Sequence, residues 1–218
     1  MRRYLCCVFL IISFKTVSQT CAILDFGTGS QSNEPLSFDT GVSAGQVFLK
    51  NKALVFGGFK LQKFPIVPSH KLRDNENKYT GQTTDLWNFS FHTGFRYSIN
   101  LFQPNKKSNK QIGIFPECRL YFSPLMPKKV IYVQNNFPEP DETITLKGQS
   151  VSQLAYAFSG GIYYGNLKRG YLALKFEVST IDLFESLRPL NYKNDLFSAK
   201  GKQYIISLSL YGILTNRQ

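Results

Sequence analysis

The sequence predicts an all-β fold, an eight-stranded antiparallel transmembrane β-barrel. Three observations predict it: apolar and polar residues alternate with a period of two, long and short connections alternate along the chain, and 15% of the residues are aromatic while only 18% are charged. A length of 218 residues suits one domain, and the composition excludes wholesale disorder. A helical membrane protein is excluded because the sequence has no apolar run of about 18 residues or more.

The first residues have the pattern of a secretory signal peptide. Arg2 and Arg3 precede the apolar run 4–14, and the small residue Ser18 follows it after a polar stretch. This is the order of n-region, h-region and cleavage site that such signals share. We therefore expect cleavage after Ser18, which would leave residues 19–218 as a single β-barrel domain.

The clearest strand runs over residues 87–99. Its odd positions are apolar except Thr93, whereas its even positions are small or polar and include His92 and Arg96. Such alternation indicates an extended strand with one apolar and one polar face. The segment is longer than the average strand of about five or six residues, and it suits a strand that crosses a bilayer obliquely.

Seven further segments carry the same alternation. They are 22–29, 41–49, 55–61, 112–123, 152–164, 171–180 and 203–214. The pattern is clear in the last three segments and poorest in the first. Pro116 interrupts the fourth segment, and because proline cannot donate a ladder hydrogen bond we expect a bulge there or a shorter strand.

The connections between these segments alternate in length. The short ones lie near 50–52, 100–110 and 165–170, and the long ones are 30–40, 63–84, 124–150 and 181–202. In outer-membrane barrels short turns face the periplasm and long loops face outward. The even number of strands then places both ends of the chain on the periplasmic side.

The signal peptide, the eight amphipathic strands, the alternating loop lengths and the aromatic content together resemble the small outer-membrane β-barrel proteins of the OmpA and OmpX type. The resemblance is architectural and covers residues 22–214; the chain departs from it in that Tyr211 is followed by a polar tail. It implies a location in the outer membrane of a Gram-negative bacterium and a structural, adhesive or accessory role in the cell envelope. It implies no cofactor.

The polar strand faces place a nearly balanced set of charged and titratable side chains inside the predicted barrel. They are His92, Arg96, Glu117, Arg119, Lys175 and Glu177. Eight strands enclose just enough room for side chains. We therefore expect these groups to pair in a plugged lumen, where hydrogen bonds must offset the cost of desolvating them.

The excess positive charge lies in the short turns. Removal of residues 1–18 lowers the formal net charge from +12 to +9. The turns contain no acidic residue, and their basic residues are Lys50, Lys52, Lys106, Lys107, Lys110, Lys168 and Arg169. We expect the last five to form a basic periplasmic rim that is solvated near anionic lipid or contacts an acidic partner. Nucleic acid is not an expected partner, because no basic face is interleaved with exposed aromatic residues.

Two other functions stay open. Ser90, His92 and Glu117 are the residue types of a serine hydrolase that modifies lipids, although a structural histidine is the favoured interpretation of His92. A secreted lipocalin-like barrel would instead turn its apolar faces inward to a ligand, but the position of Trp87 in mid-chain does not match the lipocalin motif.

Neither the cysteines nor the outer loops predict a metal site. Cys21 and Cys118 would lie on opposite strands, too far apart for a disulfide, and their spacing does not suit a metal. The acidic residues near Glu139 lack EF-hand spacing.

Residues 130–133 and 143–146 are strand-like, and we expect either an ordered loop or a projecting hairpin that offers an edge to an envelope protein.

Overall fold

The computed structural model describes the barrel and parts of its loops. The described residues are 19–31, 37–63, 79–84, 87–104, 109–125, 129–134, 142–147, 150–182, 185 and 202–214. The expected signal peptide, Lys106, Lys107 and the acidic tip at Glu139 lie outside them.

The described residues form twelve β-strands. They are β1 (Gln19–Gln31), β2 (Ser37–Phe48), β3 (Ala53–Lys63), β4 (Tyr79–Thr84), β5 (Trp87–Tyr97), β6 (Ile99–Phe102), β7 (Gln111–Leu125), β8 (Lys129–Gln134), β9 (Glu142–Lys147), β10 (Val151–Asn166), β11 (Gly170–Ser179) and β12 (Gln203–Ile213). Within this part of the chain there is no helix with the length and apolar character needed to span a membrane.

Eight strand positions close into an antiparallel barrel. Their order is β1, β2, β3, β5, β7, β10, β11 and β12, and β6 continues the line of β5 against β7. Closure comes from β12, which pairs with β1 from Cys21 opposite Ile213 to Gln31 opposite Gln203. The predicted all-β, eight-stranded barrel is confirmed, including its first strand, where the alternation was poorest.

The apolar faces of the strands point outward. On β10 the exposed fractions of Leu154, Phe158 and Ile162 are 73%, 64% and 59%, whereas the intervening Ala155 and Ala157 are buried. The same alternation of exposed and buried residues runs through β5, β11 and β12. This orientation is opposite to that of a lipocalin-like barrel, which would keep its apolar faces inside.

Pro116 lies within an unbroken strand. The pairing of β7 with β10 continues through Pro116 opposite Gly160 without a register shift, so the expected bulge or shortening of this strand was wrong. The interruption is on the other side, where pairing with β5 ends at Arg96 opposite Glu117 and resumes with β6 at Ile99 opposite Ile114. The N–H group that proline lacks thus coincides with the gap between β5 and β6 rather than with a break in β7.

A second sheet lies in the long loops. It has the order β4, β8, β9, and β8 and β9 form a hairpin, which was one of the two alternatives expected for the strand-like segments. However, β4 of the preceding long loop pairs with β8 over its whole length. One edge of the hairpin is therefore covered, so in the described residues the outer edges of this sheet belong to β4 and β9.

Candidate functional site

The middle of the lumen holds an equal number of basic and acidic side chains. Each of them is at most 6% exposed, and they are Lys60, Arg96, Arg119, Lys175, Asp25, Asp39, Glu117 and Glu177. We call these eight residues the lumenal network. With four cations and four anions, the network carries no net formal charge.

Glu117 lies between two arginine side chains of the network. It accepts hydrogen bonds from Arg96 Nε at 2.6 Å, Arg119 Nε at 2.6 Å and Ser159 Oγ at 3.1 Å. Arg96 Nη2 lies 2.5 Å from the same carboxylate, and Nη1 donates to the Tyr171 hydroxyl at 2.8 Å. Planar guanidinium groups on both sides of a carboxylate give strong, directional charge-assisted bonds.

Asp25 of β1 connects two cations. Its Oδ2 atom lies 2.7 Å from Arg119 Nη2 and 3.2 Å from Lys175 Nζ, and its Oδ1 atom accepts a hydrogen bond from Ser209. Lys175 Nζ also lies 3.4 Å from Glu177 Oε2. Asp25 therefore joins the first strand of the barrel to strands β7, β11 and β12.

Lys60 of β3 completes the network. Its Nζ atom lies 3.1 Å from Asp39 Oδ2 and 3.1 Å from Glu177 Oε1. Tyr121 donates to the same Glu177 oxygen at 2.9 Å. Every charged group of the network thus has an opposite charge within 4.0 Å, which buried ions need in order to offset desolvation.

The structure brings together five of the six lumenal residues that the sequence singled out, namely Arg96, Glu117, Arg119, Lys175 and Glu177. His92 is also buried in the lumen, but its Nε2 atom lies 2.8 Å from Ser43 Oγ on β2. Its ring packs between Phe56 and Tyr121, with centroid distances of 6.0 and 5.4 Å.

The residue types of a hydrolase are present but are not assembled. Within the described residues no hydrogen bond joins His92 to Ser90 or Glu117: His92 contacts Ser43, and Glu117 is held by Arg96 and Arg119. The Ser90 hydroxyl and His92 Nδ1 are both buried and have no hydrogen-bond partner in the same part of the chain. A nucleophile also needs access to its substrate, whereas Ser90 is completely buried.

Sequence reasoning missed Asp25, Asp39 and Lys60. Asp25 lies on the strand with the weakest alternation, and Asp39 lies in a segment interpreted as loop although β2 begins at Ser37. Lys60 shares the inward face of β3 with Leu54 and Phe56. That face is partly apolar, so it lacked the polar character by which the other lumenal faces were identified.

Apolar side chains fill the lumen toward the short turns. This apolar floor consists of Cys21, Ile23, Val47, Leu54, Phe56, Phe115, Tyr163, Leu167, Tyr171, Ala173 and Tyr211. Tyr171 stacks on Tyr211 at a centroid distance of 4.4 Å, and Arg96 Cζ lies 4.2 Å from the centroid of Phe115. The floor therefore packs directly against the lumenal network.

Two inward glycines make room for aromatic rings of the apolar floor. A Cβ atom at Gly161 would lie 2.6 Å from the ring of Phe115, and one at Gly94 would lie 2.6 Å from the ring of Phe56. Both distances are shorter than van der Waals contact. The two rings thus occupy space that a larger residue on the neighbouring strand would fill.

A chain of side-chain hydrogen bonds crosses the lumen toward the long loops. Asn88 Nδ2 donates to Gln62 Oε1 at 3.4 Å, and Gln62 Nε2 donates to Gln203 Oε1 at 3.3 Å. Ser123 Oγ donates to Asn88 Oδ1 at 3.0 Å. We call Gln62, Asn88, Ser123 and Gln203 the polar layer; it lies on the other side of the lumenal network from the apolar floor.

The other expected site features are placed as follows. Lys110, Lys168 and Arg169 are exposed at the short turns, and Lys110 Nζ lies 5.6 Å from the ring centroid of Tyr164. Cys21 is buried, Cys118 is exposed on the outer face, and both are free thiols, as the sequence predicted. In the part of the chain that the structure describes, no group of three histidine, cysteine or acidic residues is arranged to hold a metal ion.

Comparison with known proteins shows the fold. No protein-family model matches the sequence, and no curated protein does. Among solved structures, Neisserial surface protein A (NspA) is similar at 12% identity with a TM-score of 0.50, over 90% of this chain and 97% of that one. A major outer membrane protein of Thermus thermophilus (10% identity, TM-score 0.48, 88% and 98% of the two chains) and the N-terminal β-barrel domain of Pseudomonas aeruginosa OprF (8% identity, TM-score 0.37, 90% and 98%) are also similar. The chain thus has the closed eight-stranded fold found in small outer-membrane β-barrels.

Proposed function

We propose that this protein is an integral β-barrel of a Gram-negative outer membrane, with a plugged lumen and a structural, adhesive or accessory role in the envelope. The observation that carries the proposal is the combination of an apolar outer face with an interior whose buried charged groups are paired. A water-soluble barrel has the opposite distribution.

The outer face supports membrane insertion. Large apolar side chains such as Phe122, Phe176 and Leu208 are 45–48% exposed on the outer faces of their strands. A continuous apolar surface around a whole barrel far exceeds the patches of a few hundred Å² that soluble monomers expose. The eight strands that close the barrel have 10 to 16 residues each. This length is enough for a tilted transmembrane strand, which needs about 9–11 residues.

The interior supports a plug. The apolar floor, the lumenal network and the polar layer succeed one another along the lumen, so side chains and their hydrogen bonds fill it at three levels. We expect purified protein in a planar phospholipid bilayer to give no stable conductance steps. Repeated steps of constant size would contradict the plugged lumen while leaving the barrel in the membrane.

Localisation is tested in cells that express the full chain. We expect the protein in the outer-membrane fraction, with a mass that corresponds to cleavage after Ser18 and with a shift in gel mobility on boiling. A protein recovered in the soluble fraction, with the same mobility before and after boiling, would contradict the proposal.

In the proposed orientation of the barrel, the long loops lie outside the cell. The β4–β8–β9 sheet would then be exposed at the surface, where the outer edges of β4 and β9 offer backbone groups to an extended segment of another protein. An epitope inserted between β8 and β9 should be labelled by antibody on intact cells, and one inserted after Lys168 should not. Labelling only at the second position would reverse the orientation.

A further inference from the structure

A polar cavity opens at the short-turn end of the barrel. Its volume is about 260 Å³, and it lies among the turns that follow β2, β6 and β10. Six of its nine lining residues carry side-chain amides, including Asn51, Asn100, Asn109 and Asn166; two more are Lys50 and Lys168. No lining residue is acidic. The cavity is separate from the lumenal network, because the apolar floor lies between them.

Two of the six amides of this cavity are held in place by hydrogen bonds. Asn100 Oδ1 accepts a hydrogen bond from the hydroxyl of Tyr163, a buried residue of the apolar floor. Asn166 Oδ1 accepts a hydrogen bond from the backbone N–H of Lys168 at 2.8 Å. Because the oxygens of these two amides already accept hydrogen bonds from the protein, their NH₂ groups are available as donors.

The turn that supplies Lys50 has an unusual backbone. Leu49, Lys50 and Asn51 have φ angles of 52°, 55° and 67°, a left-handed conformation that is uncommon for residues other than glycine. Hydrogen bonds hold this turn: Lys52 N–H donates to Leu49 O at 3.2 Å, and Lys52 O accepts from Ser98 N–H at 2.7 Å. Positive φ angles are common in short β-hairpin turns, and this turn places Lys50 and Asn51 in the lining of the cavity.

The chemistry of the lining selects a ligand class. Amide NH₂ groups donate to carbonyl and hydroxyl oxygens, the lysines attract an anion, and Leu167 alone is apolar among the nine residues of the lining. We propose that this cavity binds an acidic N-acetylated saccharide, whose carboxylate meets Lys50 and Lys168 and whose acetamido and hydroxyl groups meet the amides. The volume is close to the lower end of small-molecule sites and suits one sugar unit.

This inference rests on the proposed function for its biological setting. With the short turns on the periplasmic side, as proposed, the cavity faces the periplasm, where saccharide chains of the cell wall lie. The cavity itself does not depend on orientation. Its binding is therefore measurable on purified protein, independently of the localisation of the barrel.

The test uses the full barrel in detergent micelles, after its shift in gel mobility on boiling has been verified. We expect N-acetylmuramic acid to shift the NMR signals of Asn51, Asn109 and Asn166, and the shifts should saturate as the sugar concentration rises. N-acetylglucosamine, which lacks the carboxylate, should bind about three- to tenfold more weakly, because it cannot pair with the two exposed lysines. Inorganic phosphate serves as a probe of a simple anion site.

Matched variants assign the effect to the cavity. Lys50→Gln combined with Lys168→Gln should reduce the affinity for N-acetylmuramic acid to that for N-acetylglucosamine. Asn51→Gly, which suits the left-handed backbone, should weaken both sugars. Lys202→Gln, at an exposed lysine on the long-loop side, should leave both affinities unchanged.

Three results would overturn the inference. They are no saturable binding of either sugar by a barrel that still shifts on boiling, phosphate binding as tight as that of N-acetylmuramic acid, and no effect of the double lysine variant. In each of these results the boiling shift persists, so the membrane barrel stands while the saccharide site fails. Loss of the boiling shift in the unmodified protein would contradict the proposed function instead.

Discussion

Replacement of Glu117 by glutamine tests the balance of the lumenal network. The substitution preserves side-chain shape but removes one of four negative charges. Arg96 Nε and Nη2 and Arg119 Nε, all within 2.6 Å of the carboxylate, then lose their ionic partner, and so does Lys175 Nζ at 3.5 Å.

The expected loss of stability is large because none of these groups reaches solvent. Glu117, Arg96 and Arg119 are each at most 3% exposed. Removal of one partner from a buried ion pair costs about 3–5 kcal/mol, because an uncompensated charge remains inside. We therefore expect the free energy of unfolding of Glu117→Gln to fall by about that amount.

The assay is urea-induced unfolding of the barrel from phospholipid vesicles, followed by the fluorescence of Trp87, the single tryptophan of the chain. Lys202→Gln, at an exposed position, serves as the control and should change the free energy of unfolding by less than about 0.5 kcal/mol. If Glu117→Gln matched this control, the lumen would contain enough water to screen its charges. The account of a packed, plugged interior would then be refuted.

A second substitution separates charge balance from the loss of individual contacts. Lys175→Met in the Glu117→Gln background restores equal numbers of cations and anions. We expect the double variant to be more stable than the sum of the two single losses predicts, by about 0.5–3 kcal/mol, the range for residues that share one network. Additive losses would show that the groups act independently.

Three further predictions concern packing, the lipid-facing surface and the thiols. Gly161→Ala should reduce stability by about 1–3 kcal/mol, because its Cβ would overlap the ring of Phe115; unchanged urea unfolding would contradict this packing. Leu120→Arg, on the outer face of β7, should reduce stability by about 2–4 kcal/mol in vesicles, and a neutral effect would place this residue in water. In vesicles, a charged, membrane-impermeant thiol reagent should modify neither Cys21 nor Cys118 of the folded barrel, and it should modify both after unfolding. Rapid modification of Cys118 in the folded barrel would mean that the outer face of β7 is not covered by lipid.

The strand alternation made most of the barrel predictable from sequence. In 87–99 and 203–214 the apolar and polar faces differ at nearly every position, because the two sides of a transmembrane strand meet lipid and a polar lumen. The same contrast identified Arg96 and Glu177 as inward. Where the lumen is itself apolar, as around Phe56 and Leu54 on β3, the two faces of the strand have similar residues. Lys60 was therefore not identified as a lumenal residue.

Features that depend on contacts between distant segments were not predictable. The effect of Pro116 was expected in its own strand, as a bulge or a shortening, because the sequence does not show which neighbouring strand faces the missing N–H group. The pairing of β4 with β8 joins two long loops that are separated by β5, β6 and β7, and no local pattern indicates it. Likewise, Ser43 rather than Ser90 contacts His92, since the register of β2, β3 and β5 decides which serine lies nearby.

Quenching of tryptophan fluorescence by brominated lipids tests most directly whether the apolar face contacts the bilayer. In a Trp87→Phe background, tryptophan is placed either at Phe122, which is 48% exposed on the outer face of β7, or at its neighbour Tyr121, which is completely buried in the lumen. Vesicles of brominated phospholipid should strongly quench the first variant and quench the second several-fold less. Equal quenching at the two positions, or none at Phe122, would contradict a membrane barrel with its apolar side outward.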